Sequence, residues 1–203
     1  MFSRQGLLQT WNDVRGYFIF ACILFFASMF VGGSSDAPVD WMNGQLREIQ
    51  KLRESIEGTD NPERAMFFLI LGKNLLASLM AMGFGIVGAI MPIAVLVSNG
   101  MLIGYFISLV AHSDKNVWGV VAKGLLPHGI IELCAIFLAC AFGVRFGITF
   151  IRGIWRSLTG KSEPWQPFAR TASGAIPGIA AIVILLTVAA IVESTITYWL
   201  ASS

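Results

Sequence analysis

Charge is scarce in this chain: 203 residues carry only 13% Asp, Glu, Lys and Arg, and 56% are hydrophobic. A soluble domain usually carries about 25% charged residues. A water-facing surface cannot be built from so little, so the composition predicts a membrane protein. The net charge of +2 is too small for an electrostatic footprint on nucleic acid, and no nucleic-acid partner is expected. Cysteine is also sparse. Cys22, Cys134 and Cys140 each fall in an apolar run, which excludes a disulfide framework and leaves three small membrane-buried thiols. No CxxC pair, Walker lysine, phosphate-cradling glycine loop or nucleophile–base pairing is present, and the polar segments are too short for a catalytic domain. No enzyme is therefore expected.

What the chain does have is apolar runs. Five are long enough to cross a hydrocarbon core of about 30 Å, at approximately 17–31, 64–82, 86–111, 128–150 and 171–200. The expected fold is all-α, a single polytopic membrane helix bundle. The first run follows Arg4 and Arg15 and keeps large aromatics to its end (Phe18, Phe20, Phe25, Phe26, Phe30), so it reads as a retained signal anchor. Between the first two spans, Met42, Leu46, Ile49, Leu52 and Ile56 recur at helical spacing. Arg47, Glu48, Lys51, Arg53, Glu54 and Glu57 fill the opposite face, which predicts an amphipathic helix over about 40–57, with Asp40 at its start and Gly58 at its end. Such a helix suits a membrane surface or a docking partner. Asn61-Pro62-Glu63 reads as a helix start, and Gly83-Phe84-Gly85 breaks the pattern between spans two and three, where Pro92 allows a kink.

The 35 residues from Val117 to Ile151, most of them apolar, would reach about 52 Å as one helix, far more than a bilayer core. Pro127 divides them. It cannot donate an amide hydrogen and pushes Leu126 out of the α region, so a short interfacial or re-entrant helix is expected before it and span four after it. Arg152, Arg156, Lys161 and Arg170 against a lone Glu163 make the next segment basic, with Trp155 and Trp165 suited to an interface. Positive charge stays inside, so the N-terminus and this segment are expected in the cytoplasm and the C-terminus outside, in a multi-pass protein of the cell membrane.

Ionisable groups on membrane helices mark functional sites by default. His128 and Glu132 lie four residues apart on one helix face, and Glu193 falls at similar depth near the far end of span five. Two carboxylates and an imidazole could share a proton, line a polar cavity, or hold a divalent metal through the ligand-spaced pair His128 and Glu132; otherwise no cofactor is expected. Lys73 near mid-membrane could snorkel or pair with a carboxylate, and Asn74 and Asn99 are candidate interhelical hydrogen-bonding groups, either of which could serve Glu132. Three GxxxG pairs, Gly100 with Gly104, Gly143 with Gly147 and Gly174 with Gly178, indicate close helix packing. Small faces on several spans also suit a homodimer.

Lys73-Asn74, the glycines at 83, 85 and 88, Asn99-Gly100-x-x-x-Gly104, Leu126-Pro127-His128-Gly129-x-x-Glu132-x-x-Ala135 and Gly143-x-Arg145-x-Gly147 together resemble the stage II sporulation protein M family. The resemblance is densest over Met66–Gly147. It implies a small helical membrane protein without catalytic activity. The family's sporulation member is implicated in engulfment, as the membrane anchor of a complex with two peptidoglycan-degrading partners. The resemblance thus implies a scaffold for cell-wall remodelling, with peptidoglycan hydrolases as partners beside the lipid bilayer. The residues by themselves also fit a second class, a transporter or channel with an ion or metal site at His128, Glu132 and Glu193.

Overall fold

The structure is a computed structural model, and it describes residues 3–34, 38–57, 61–113, 116–122 and 126–197. All regular structure among them is helical, and five helices are long and apolar enough to cross a membrane. The polytopic bundle expected from hydropathy is the fold observed.

Helix α1 (Arg4–Gly32) starts well before its apolar run. The Ser3 hydroxyl accepts the Gly6 amide hydrogen at 3.2 Å and satisfies one of the free first-turn donors. No proline falls between Arg4 and Tyr17, so the helix is not interrupted where hydropathy falls. Helix α2 (Val39–Glu57) is the amphipathic segment. It is pinned along one side, where Met42 is fully buried and packs with Leu46 against Tyr105, Met101 and Leu102. The Tyr105 hydroxyl donates to Asn43 Oδ1 at 2.9 Å. Gly58, the expected end of this helix, lies outside the described residues.

Helix α3 (Pro62–Gly83) opens on proline, whose missing amide hydrogen costs nothing in a first turn. Asn61 precedes it but makes no side-chain capping bond. A 3-10 turn (Phe84–Ile86) follows, then Gly88 and Ala89, both left-handed with φ of 64° and 62°. Glycine adopts that conformation freely, whereas alanine is strained there by about 1–2 kcal/mol. Helix α4 (Ile90–Ala111) starts four residues later than the apolar run, so Pro92 falls in its first turn, where it removes no intrahelical bond. Its expected role as an interior kink does not arise.

Helix α5 (Val117–Val120) is the short helix before Pro127, with Asn116 Oδ1 accepting the Gly119 amide hydrogen at 3.2 Å. Residues 123–125, between it and the next span, lie outside the described residues. Helix α6 (Leu126–Leu158) has Pro127 as its second residue and runs 33 residues, about 50 Å. It therefore absorbs Arg152 and Arg156, which hydropathy assigns to a loop; Gly160, left-handed at φ 64°, is the actual stop. Helix α7 (Gln166–Val192) carries Pro177 in its interior and passes into a π-turn (Glu193–Thr197). The expected end of span five, at Leu200, lies outside the described residues.

Helix α6 is the hub, touching α1, α3, α4 and α7. Its stretch from Phe137 to Gly147 is almost wholly buried, with Phe142 and Cys140 at its centre. Lipid is as apolar as leucine, so burial of apolar surface gives little attraction between spans; close backbone approach and polar contacts must hold them. Glycine permits the approach. A Cβ on Gly100 would stand 2.5 Å from the Phe25 carbonyl oxygen, and one on Gly104 would collide with the Met29 carbonyl. One on Gly147 would stand 2.5 Å from the Gly85 oxygen, and one on Gly143 would strike the Ala81 carbonyl. The first two pairs thus seat α1 on α4, and α6 on α3 and the turn after it. Gly174 and Gly178 do not act as one face: the first meets Thr10 of α1 and the second the Phe142 ring.

Candidate functional site

Pro127 fixes where α6 begins, and the helical repeat then sets His128 and Glu132 one turn apart near that end. His128 is buried. Its Nε2 lies 3.7 Å from Glu193 Oε2, so the π-turn that follows α7 places a carboxylate against the imidazole. A π-turn inserts an extra residue into the helical repeat, and such turns are frequent at functional sites. Glu132 takes a different partner: Asn74 Nδ2 of α3 donates to its Oε1. Glu193 and Lys73 are within electrostatic reach of Glu132, and Lys73 itself is exposed on α3. Three elements therefore bring His128, Glu132, Asn74, Glu193 and Lys73 into one polar cluster. Asn99 stands apart. Its side chain donates to the Val95 carbonyl of its own helix at 2.7 Å.

Chemically the cluster is two carboxylates, an imidazole and an amide inside spans, joined by the Asn74–Glu132 hydrogen bond and the His128–Glu193 pair. It can hold a proton, or orient α3, α6 and the end of α7 against one another. Among the described residues, no group of three or more His, Cys, Asp or Glu side chains has the geometry of a metal site. Cys22, Cys134 and Cys140 are free thiols.

A double-mutant cycle can read the cluster. Glu132→Ala should leave the Asn74 amide unmet and cost about 1–3 kcal/mol. Asn74→Ala should cost a similar amount, and the double variant should lose clearly less than the sum. Glu163→Ala, on an exposed turn, should change little. Thermal melting in detergent measures all four; strictly additive losses at 74 and 132 would dissociate the pair.

A second polar cluster was not foreseen from the sequence. At the other end of the bundle Asp13 of α1 lies between two arginines. Arg145 Nη2 of α6 donates to Asp13 Oδ2 at 3.0 Å, and Arg170 of α7 approaches the same carboxylate through Nε at 2.5 Å and Nη2 at 2.9 Å. Arg145 is only 7% exposed. An arginine inside the Gly143-x-Arg145-x-Gly147 stretch was the available signal, because a cation within an apolar run needs an anion nearby. Its partner, 132 residues away, has no local signature.

The family model for stage II sporulation protein M matches residues 16–198, from the first span to the end of the last. No curated protein and no solved structure gives a significant match. The matched region holds the first span from Gly16 on and the other four spans, the Pro127–Glu132 block with its Asn74 and Glu193 partners, and the buried Arg145. With nearly its whole length covered, the chain belongs to the stage II sporulation protein M family.

Proposed function

We propose that this protein is a non-enzymatic integral membrane scaffold that localises peptidoglycan-remodelling partners, as in sporulation engulfment. Family membership supports a sporulation-related membrane role, and the single structural observation behind the finer reading is α2. This helix is held to the bundle by Met42, Leu46 and Asn43, while Trp41, Arg47, Glu48, Ile49, Lys51 and Glu54 remain exposed. Exposed Trp41 and Ile49 can serve as apolar anchors inside a charged rim, an arrangement suited to recognition.

The orientation proposed from the basic segment places α2 outside the cytoplasm, on the side where peptidoglycan lies. Single cysteines at Ser55 and Ser162, in a variant lacking the three native thiols, should label from opposite sides of the membrane with an impermeant maleimide. Labelling of Ser55→Cys only from the cytoplasmic side would reverse the orientation. The function itself is tested by co-purification in mild detergent: wild type should retain a peptidoglycan hydrolase, and Trp41→Ser with Ile49→Ser should reduce retention at least 5-fold. Equal retention by both would remove α2 from the interface, and absence of any hydrolase from the wild-type complex would remove the scaffold reading.

The cluster around His128, Glu132 and Glu193 favours a second reading, an ion- or proton-coupled transporter, because its ionisable groups lie within spans beside a π-turn. Purified protein in liposomes that conducts protons or a divalent cation, and stops doing so in Glu132→Gln, would replace the scaffold with this alternative.

A further inference from the structure

Beyond any partner, the geometry points to a binding site for one anionic phospholipid in the groove between α1 and α6. The groove has a volume of about 660 Å³, within the ordinary range for a pocket that takes a small ligand. Its two ends differ in chemistry. Asn12, Asp13 and Arg15 form one end, at the level of the ion cluster, and Ile19 and Phe20 of α1 form the other, with Val144 and Ile148 of α6 along the facing wall. Polar and apolar halves follow one another along α1 over about 12 Å from Asn12 to Phe20. A soluble anion would use only the first half; a phospholipid uses both.

Charge selects the headgroup. Asp13 is already matched by Arg145 and Arg170, which leaves a surplus of one positive charge, and Arg15 adds a second. Arg15 has no ion pair among the described residues. Arg145 does not line the groove; it lies buried behind Asp13 and adds charge there, not a contact. Among the described residues Asp13 is the one carboxylate and Arg15 the one cation lining the groove, and Arg145 and Arg170 tip the balance from behind Asp13. Basic pockets between spans are suited to phosphate-bearing lipid heads, whereas the ammonium of a zwitterionic head would be set against Arg15. A smaller cavity of about 190 Å³ is lined by Asp13, Arg170 and Ser173, so the same carboxylate borders both cavities.

Gly16 makes the proposal testable. It lies in the groove wall, and a Cβ built on it meets nothing within 4 Å. Gly16→Leu should therefore fill the groove without disturbing the fold, and exchange of glycine for a better helix former should not lower stability. The full chain in a neutral detergent is titrated with dioleoylphosphatidylglycerol or dioleoylphosphatidylcholine, with binding read by native mass spectrometry and by thermal melting. Phosphatidylglycerol should bind at least 5-fold tighter than phosphatidylcholine and raise the melting temperature. Arg15→Gln should weaken it about 5-fold, the effect of one cationic side chain near a lipid head. Gly16→Leu should abolish the bound lipid while melting at or above wild type in detergent alone. Equal binding of the two lipids overturns the proposal, as does full phosphatidylglycerol binding by Gly16→Leu. Inorganic phosphate or glycerol 3-phosphate reproducing the whole melting shift would also overturn it, making the site one for a soluble anion. Should Gly16→Leu not fold, the Arg15→Gln comparison alone decides.

Discussion

Gly104→Leu should be the most damaging single substitution in the chain, losing more than 3 kcal/mol or failing to fold. Overpacking a core costs about 1–3 kcal/mol when side chains can shift. At Gly104 the obstacle is backbone, because the added carbon would meet the Met29 carbonyl and then the Gly33 amide nitrogen at 3.0 Å. Gly32 is packed in the same manner against Met101, so α1 and α4 cannot slide along one another to make room. Helix α1 would have to lift from α4, and Phe25 would lose its burial against Leu96 and Phe137. The control is Gly72→Leu on α3, where a Cβ meets nothing within 4 Å and helix propensity alone predicts no loss or a slight gain. Unfolding by sodium dodecyl sulfate titration should separate the two widely. Matching midpoints would show that the α1–α4 contact does not carry the bundle.

Asp13→Ala should cost about 3–5 kcal/mol, the usual penalty for leaving a buried charge without its partner. Arg145 is buried along nearly its whole length and cannot reach water when the carboxylate is gone. Arg170 differs, with 48% of its side chain exposed, so Arg170→Gln should cost about 1 kcal/mol or less after solvent screening. The decisive variant is the double Asp13→Ala with Arg145→Met. It should recover a substantial part of the loss seen in Asp13→Ala, because no charge is then left buried. Denaturant unfolding in detergent measures the series. If Asp13→Ala and Arg170→Gln cost the same, Arg145 is solvated in a way its burial does not suggest.

The fold was largely legible because hydropathy and helix punctuation are local signals. Pro127 announces the start of α6, Gly83-Phe84-Gly85 the end of α3, and the five apolar runs the five spans. Helix ends were less legible wherever hydropathy and helix propensity part company. The first turns of α1 and the last turns of α6 are more polar yet contain no proline, so both helices continue beyond their apolar runs. The stretch from Arg152 to Leu158 is thus helix, not loop.

Contacts between spans were legible only in part. The spacing of His128 and Glu132 gave a shared face, and the structure adds that they pair with different elements, Glu132 with α3 and His128 with the π-turn. Asn99 had the same chemistry as Asn74, but its orientation turns it onto its own helix. Glycine spacing showed that something approaches closely, not what approaches: Gly100 and Gly104 meet α1, whereas Gly174 and Gly178 meet different neighbours. A charged residue in an apolar run signals that a partner exists. Nothing local tells which of the chain's acids it is, and that is why Asp13 escaped notice.

The distance in sequence between Asp13 and Arg145 also sets a clock. Ribosomes add about 5–20 residues per second, so the 132 residues that separate the pair take roughly 7–26 s to synthesise. Helix α1 has entered the bilayer long before its arginine exists, and Arg170 follows later still. During that interval the Asp13 carboxylate has neither cation, and the face of α1 that α6 will cover is open to lipid or to insertion machinery. Ribosomes that stall before Arg145 should therefore leave fragments that a membrane protease removes quickly, and lifetime should rise once the chain passes the end of α6.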